Sequence, residues 1–241
     1  MSDFIIVIPA RYKSKRLPGK PLIDIKGLPM IVRTYNQCKK VVSSSKILVA
    51  TDHKEIFKLC KKNNINVMMT STKCLTGTDR VAEVAKKIKK KFYINVQGDE
   101  PLCNPADIKK IINTAKKYPN AVINGFTEIK DKKTFYSPHI PKVIFRENGN
   151  LIYMSRAPIP SNKSRSLIKA WRQICIYSFP YKSLKVFSNF KKKTRLEAIE
   201  DLELNRFVEI GYQVKMIKMS NKSIAVDTKG DLSKVRKIVK L

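Results

Sequence analysis

FIIVIPARYKSKRLPGKP, residues 4–21, couples an unbroken apolar run to a cation-rich loop. Residues 4–8 are β-branched or aromatic, as in a short strand buried on both faces. Pro9 ends the run. The loop beyond it carries Arg11, Lys13, Lys15, Arg16 and Lys20, and Gly19 with its flanking prolines makes for a fixed, tightly turned backbone. In a doubly wound sheet, ligands bind outside the carboxyl ends of the strands. Arg forks and Lys point charges there suit phosphate oxygens, although a solvated basic loop is the plain alternative. The spacing matches neither GxxxxGK[ST] nor GxGxxG, which disfavours a Walker A loop and a dinucleotide fold.

Beyond this loop, short apolar runs alternate with helical patterns. Residues 47–50, 66–69, 93–96 and 121–124 read as buried strands, and residues 30–40, 54–63, 79–90 and 107–118 as helices. That alternation predicts an α/β fold, doubly wound with a mainly parallel sheet. Asn104-Pro105 marks a helix start, with Asn as N-cap and Pro at the first helical position. After about residue 126 the pattern changes. Residues 142–146, 151–153 and 171–177 read as antiparallel strands, with 147–150 as a hairpin turn. Helices are expected over 182–187, 200–210 and 231–239, and a strand over 214–217. One domain, 1–241, with a small antiparallel embellishment at about 127–190 is expected.

The composition narrows the function. A hydrophobic fraction of 43% in 241 residues allows a sizeable core. No apolar run reaches the length of about 18 residues that a membrane helix needs. The first apolar run has no basic leader or cleavage site, so no signal peptide is expected and the location is expected to be cytoplasmic. Five scattered cysteines, none spaced as CxxC, argue against a disulfide framework or a structural zinc. Two histidines, His53 and His139, exclude chemistry built on several imidazoles. The formal charge of +31 admits a nucleic-acid or membrane-surface partner. The lysines run along the whole chain without a nucleic-acid motif, however, and a solvated basic surface is the simpler reading.

Asn95-Val-Gln-Gly-Asp99-Glu-Pro101 is an apolar strand ending in glycine and two acids. Gly98 permits close backbone approach of a ligand, and Asp99 would lie where a nucleotide's metal sits. Capping of the turn by Asp99 or Glu100 is the alternative. Asp227 follows the apolar run 224–226 and could converge on the same edge.

The loop sequence together with residues 24–30 resembles the signature of 3-deoxy-manno-octulosonate (Kdo) cytidylyltransferases. Further matches follow in order: Val49-Ala-Thr-Asp52, Thr76-Gly-Thr-Asp-Arg80, residues 95–101, Tyr153-Met-Ser-Arg156, Ile176-Tyr177, Leu202-Glu203 and Val226-Asp-Thr228. The resemblance spans essentially the whole chain. It implies transfer of CMP from CTP to the anomeric hydroxyl of an acidic eight-carbon sugar, a step of lipopolysaccharide biosynthesis, by a homodimer. It implies Mg2+ held by Asp99 and Asp227, with Lys20 catalytic and Glu100 in a supporting role. Arg11, Arg16 and Lys20 would hold phosphates. Ala10 and Arg11, with Thr78, Arg80 and Gln97, would surround the base. Arg156, Gln173, Tyr177 and Glu203 would face the sugar. The chain departs from the family at Gln173, where His is typical, at Cys175, where Gly is, and at Leu204, where Gln is. Cys74, Leu75 and Thr76 also differ. A modified Kdo, such as an 8-amino form, or another ulosonic acid stays open as substrate.

Overall fold

The computed structural model describes residues 3–14 and 16–239; Lys15 of the basic loop lies outside the described residues. The chain runs through β1 (Phe4–Ala10), a small hairpin of β2 (Asp24–Ile25) and β3 (Leu28–Pro29), α1 (Met30–Lys39), β4 (Ile47–Thr51) and α2 (Lys54–Lys62). Next come β5 (Val67–Met69), α3 (Gly77–Lys87), β6 (Phe92–Val96), α4 (Pro105–Lys117) and β7 (Val122–Ile129). Then follow α5 (Lys132–Tyr136), β8 (Lys142–Phe145), β9 (Leu151–Ser155) and the long β10 (Ala170–Pro180). The remainder is α6 (Tyr181–Phe187), α7 (Arg195–Glu200), α8 (Leu204–Glu209), β11 (Val214–Lys218) and α9 (Lys229–Ile238).

The main sheet has the order β11-β7-β10-β6-β1-β4-β5. β1 is buried along its whole length and pairs in parallel with β4 on one side and β6 on the other. Its carboxyl end therefore opens between connections that leave in opposite directions, the crevice where ligands of such sheets bind. One face is covered by α1, α2 and α4 through Ile31, Ile56, Ile108 and Ile111. The other is covered by α3, α6 and α8 through Val81, Val84, Leu184 and Phe207. No helix among the described residues is long and apolar enough to cross a membrane.

The antiparallel part departs from expectation. β10 is not appended to the sheet but runs through its middle, antiparallel to both β6 and β7. Its residues are nearly all buried, so it needs a neighbour on each edge and a layer on each face. Only β8 and β9 branch away, joined by the expected turn, where Gly149 takes φ +83° and the Arg146 N–H donates to the Asn150 carbonyl. The β2–β3 hairpin, unforeseen, turns on Lys26 and Gly27, both at positive φ, as a two-residue primed turn requires.

Helix boundaries moved for identifiable reasons. Asn104 caps α4 through the Ala106 N–H, as its sequence predicts. α3 starts two residues earlier than expected, because Thr76 is its N-cap and forms a capping box with Asp79. The helix expected over 200–210 is found as α8 over Leu204–Glu209, and α7, which was not foreseen, ends just before it at Glu200. Arg156 donates to the terminal carbonyls of Glu200 at 2.6 Å and Asp201 at 3.2 Å, and Asp201 takes φ +52°, closing α7 before α8 begins.

A fully buried ion pair ties these helices to α3. The Arg206 guanidinium donates to both carboxylate oxygens of Glu197, at 2.6 and 2.7 Å, and to Asp79 at 3.3 Å. It also stacks on Phe187 at 3.7 Å. Removing one partner strands a charge out of water. Arg206→Met should therefore cost about 3–5 kcal/mol in urea unfolding, and adding Glu197→Leu should recover much of the loss.

Candidate active site

The basic loop closes on itself before it reaches the sheet. Gly19 takes φ +65°, its N–H donates to the Tyr12 carbonyl at 3.2 Å, and a Cβ there would lie 3.5 Å from the Tyr12 ring. The turn places Lys20 at the carboxyl rim of the sheet. Its Nζ donates to Asp99 Oδ2 at 2.6 Å and to Asp227 Oδ1 at 3.2 Å. Arg16 adds a bond to Asp227 Oδ1 at 3.1 Å and approaches His139 Nδ1 at 3.4 Å. The segments of the two acids are joined directly, the Val226 N–H donating to the Asp99 carbonyl at 2.9 Å. Residues 224–226 form no strand. Burial opposes the charge on Lys20, but the combined attraction of Asp99 and Asp227 outweighs it and raises the pKa above the ordinary lysine value.

The two carboxylates are 29% and 32% exposed. Among the described residues, no three His, Cys, Asp or Glu side chains gather as a metal-ligand group. Two carboxylates facing one cation, with solvent access for further oxygens, fit a magnesium ion that completes its shell with phosphate and water.

Glu100 is buried beside this group. It is 4% exposed, its Oε2 has no hydrogen-bond partner, and burial, reinforced by Asp99, pushes its pKa up to about 8. Gly98 also serves the fold, since a Cβ there would stand 2.8 Å from the Pro9 carbonyl. The close approach that it allows is between β1 and the turn after β6.

A second group forms at the start of α3. The Thr78 N–H donates to Glu203 Oε2 at 3.0 Å, and Gln97 Nε2 to Glu203 Oε1 at 3.4 Å. A Cβ at Gly77 would lie 2.8 Å from Gln97 Nε2 and would displace that amide. Burial raises the Glu203 pKa, against the opposing bond from Thr78. Gln173 and Tyr177 form a third group in β10, with Gln173 Nε2 donating to Tyr177 Oη at 3.1 Å. Ala10 ends β1 beside the loop, and Arg11 is exposed without an ion-pair partner among the described residues.

Two expected ligand-binding arginines are engaged elsewhere. Arg80, expected at the base, is buried and pairs with Asp52 at 2.9 Å and Thr70 Oγ1 at 2.5 Å. Asp52 also accepts from the Tyr12 N–H at 3.4 Å, so this pair braces the basic loop. Asp52 stood in the sequence as an acid closing a buried strand, and its positioning role was missed. Arg156 donates to carbonyls of Glu200, Asp201 and Pro138, leaving one N–H on each terminal nitrogen for a ligand. Lys142 was also missed. It is fully buried, donates to the carbonyls of Ser137 and Arg156, and burial pushes its pKa down to about 8. Leu204, where the resemblance led to expect Gln, lies fully buried in the apolar core.

A basic loop, paired acids and a parallel-sheet rim of this kind define a nucleotidyltransferase. A family model described as cytidylyltransferase matches residues 5–231. The 3-deoxy-manno-octulosonate cytidylyltransferase of Chloroherpeton thalassium is 38% identical, covering 98% of this chain and 97% of its own. The mitochondrial enzyme of that name from Arabidopsis thaliana is 36% identical over 99% of this chain and 84% of its own. The solved structure of a CMP:2-keto-3-deoxy-manno-octonic acid synthetase complexed with CTP superposes with a TM-score of 0.90 at 32% identity, covering 98% of each chain. The chain belongs to the cytidylyltransferase family, and within it to the 3-deoxy-manno-octulosonate cytidylyltransferases.

Glu100 gives a pH test. A carboxyl whose pKa rises on folding favours the folded state while protonated, and that advantage is lost as pH rises from the unfolded value, near 4.5, through the folded value of about 8. Glu100→Gln should therefore gain stability relative to the parent as pH increases across this window and level off above it. Chemical denaturation at several pH values measures the difference.

Proposed function

We propose that the protein transfers CMP from CTP to the anomeric hydroxyl of 3-deoxy-manno-octulosonate, releasing pyrophosphate, with Mg2+ as cofactor and a homodimer as the working form. The bridging of Asp99 and Asp227 by the Lys20 ammonium at the rim of β1 and β6 carries this reading. The sugar hydroxyl oxygen attacks the α-phosphorus in line and loses its proton. The new P–O bond replaces the bond to the β-phosphate, and pyrophosphate leaves with that electron pair. No protein nucleophile is needed, so the residues position anions and offset charge.

Lys20, Arg16 and Arg11 supply cations to the triphosphate. Gln97, Thr78 and the backbone at Ala10 face the base. The free N–H groups of Arg156 suit the sugar carboxylate, and Gln173, Tyr177 and Glu203 suit its hydroxyls. Asp99 and Asp227 would hold the magnesium ion, which when bound offsets phosphate charge and makes the hydroxyl easier to ionise. The anchored amide of Gln173 supports a second reading, the same transfer onto an ulosonic acid altered in its side chain.

Pyrophosphate release with each common nucleoside triphosphate against several ulosonic acids tests the assignment. CTP with Kdo should give the highest kcat/KM, chelation by EDTA should stop turnover, and added Mg2+ should restore it. CTP selectivity without a response to any sugar acid would overturn the acceptor. Asp99→Asn and Asp227→Asn should each lower kcat at least ~10²-fold, the scale of losing one charge-stabilising group, with the circular dichroism unchanged. Near-parental turnover in either would remove the metal assignment.

A further inference from the structure

We infer that Asn124, acting through Gln173, fixes the direction in which the Tyr177 hydroxyl donates its hydrogen bond, and so presents a donor to the acceptor sugar. This rests on the reading that Tyr177 faces the sugar.

The orientation starts at the backbone. β10 shifts register against β7 between Ile174 and Tyr177, and one end of the Asn124 side chain lies 3.0 Å from the Ile174 carbonyl and 2.9 Å from the Ile176 carbonyl. Carbonyl oxygens only accept, so this end is the amide nitrogen and both its hydrogens are committed. The other end is Oδ1, an acceptor. The Gln173 atom 3.1 Å away must therefore be its Nε2. The second hydrogen of Nε2 goes to Tyr177 Oη at 3.1 Å. Asn124 is 0% exposed, Gln173 7% and Tyr177 4%, so water has little access to reverse the sequence.

A phenol oxygen offers two in-plane directions for hydrogen bonding. Gln173 occupies one as donor, so the Tyr177 hydrogen takes the other. In that direction the hydroxyl meets the Cys175 thiol, a weak acceptor that a sugar hydroxyl would displace, and the charges of Glu203 and Glu100 also bear on it. A sugar hydroxyl at this point accepts from Tyr177 and still has a hydrogen for a carboxylate. An ammonium group has no lone pair there and sets donor against donor. The pocket thus selects a hydroxyl over an ammonium at the position that meets Tyr177. Asn124 and Gln173 act as positioning residues whose chemistry reaches the substrate through one oxygen.

Steady-state kinetics with CTP and Kdo test this. Tyr177→Phe should raise the sugar KM about tenfold, roughly one hydrogen bond, with the CTP KM unchanged. Gln173→Glu, whose carboxylate takes the hydroxyl hydrogen for itself, should raise the sugar KM as far. The Tyr177→Phe/Gln173→Glu pair should show no further increase, because both act through one hydroxyl; a merely structural role would add the two effects and move the CTP KM too. Should Gln173→Glu not fold, Gln173→Met decides, with a rise of about threefold expected that vanishes in the Tyr177→Phe background. An unchanged sugar KM in Tyr177→Phe would remove Tyr177 from the sugar site and this inference with it. A raised KM in Tyr177→Phe, with no effect or an additive effect at Gln173, would overturn the orientation alone.

Discussion

The Lys20 ammonium between Asp99 and Asp227 is the interaction on which the site depends. Two carboxylates converging on one point repel each other, and without a ligand that cost is offset by a cation placed between them. The three groups come from the loop after β1, the turn after β6 and the entry to α9. Each is held independently. The αL turn at Gly19 sets Lys20, the backbone bond from Val226 to Asp99 joins the acids, and the Thr228–Asp231 capping box fixes the start of α9 beside Asp227. The rim is therefore assembled before any substrate arrives, as electrostatic preorganisation requires.

Around this rim, buried charges act as braces more than as ligands. Asp52–Arg80 holds the far side of the basic loop, and Glu197–Arg206–Asp79 ties α7 and α8 to the start of α3, where Glu203 meets Thr78 and Gln97. Buried pairs of this kind contribute little net stability over apolar side chains, but they are intolerant of losing one member. That property suits elements whose job is placement. The same economy appears in β6, β10 and β7, where Asn95, Tyr177 and Asn124 lie in register across three strands and put a row of polar groups through an otherwise apolar face.

Much of this was legible in the sequence. Apart from the β2–β3 hairpin, the main strands and helices of the first 120 residues follow from hydrophobic period, and the loop cations with Asp99 and Asp227 were named from composition and motif. What was hidden has physical reasons. The burial pattern of β10 says that it is covered on both faces, not that it runs antiparallel through the sheet's centre. The break at Asp201 has no glycine or proline to announce it; it is imposed by Arg156, distant in sequence, satisfying helix-end carbonyls. Arg80 and Arg156 show the limit of charge as a signal. A guanidinium in a motif reveals that it will be paired, and only the fold shows whether the partner is a carboxylate, a carbonyl or a ligand.

The charge of +31 bears on the same distinction. A protein this basic attracts polyanions from all directions, and a nucleoside triphosphate and a sugar acid both gain from such a field on approach. The field cannot choose among anions, because it is spread over a lysine-rich surface and screened within about 8 Å at physiological salt. Selection has to come from the acids, which are scarce. Asp99 and Asp227 are partly exposed at one rim, while Glu197, Asp79 and Asp52 are committed to arginines. In a chain with this excess of cations, the unusual event is a pair of carboxylates facing outward together. That pair, rather than the abundance of lysine around it, is what supports the proposed place of the chemistry.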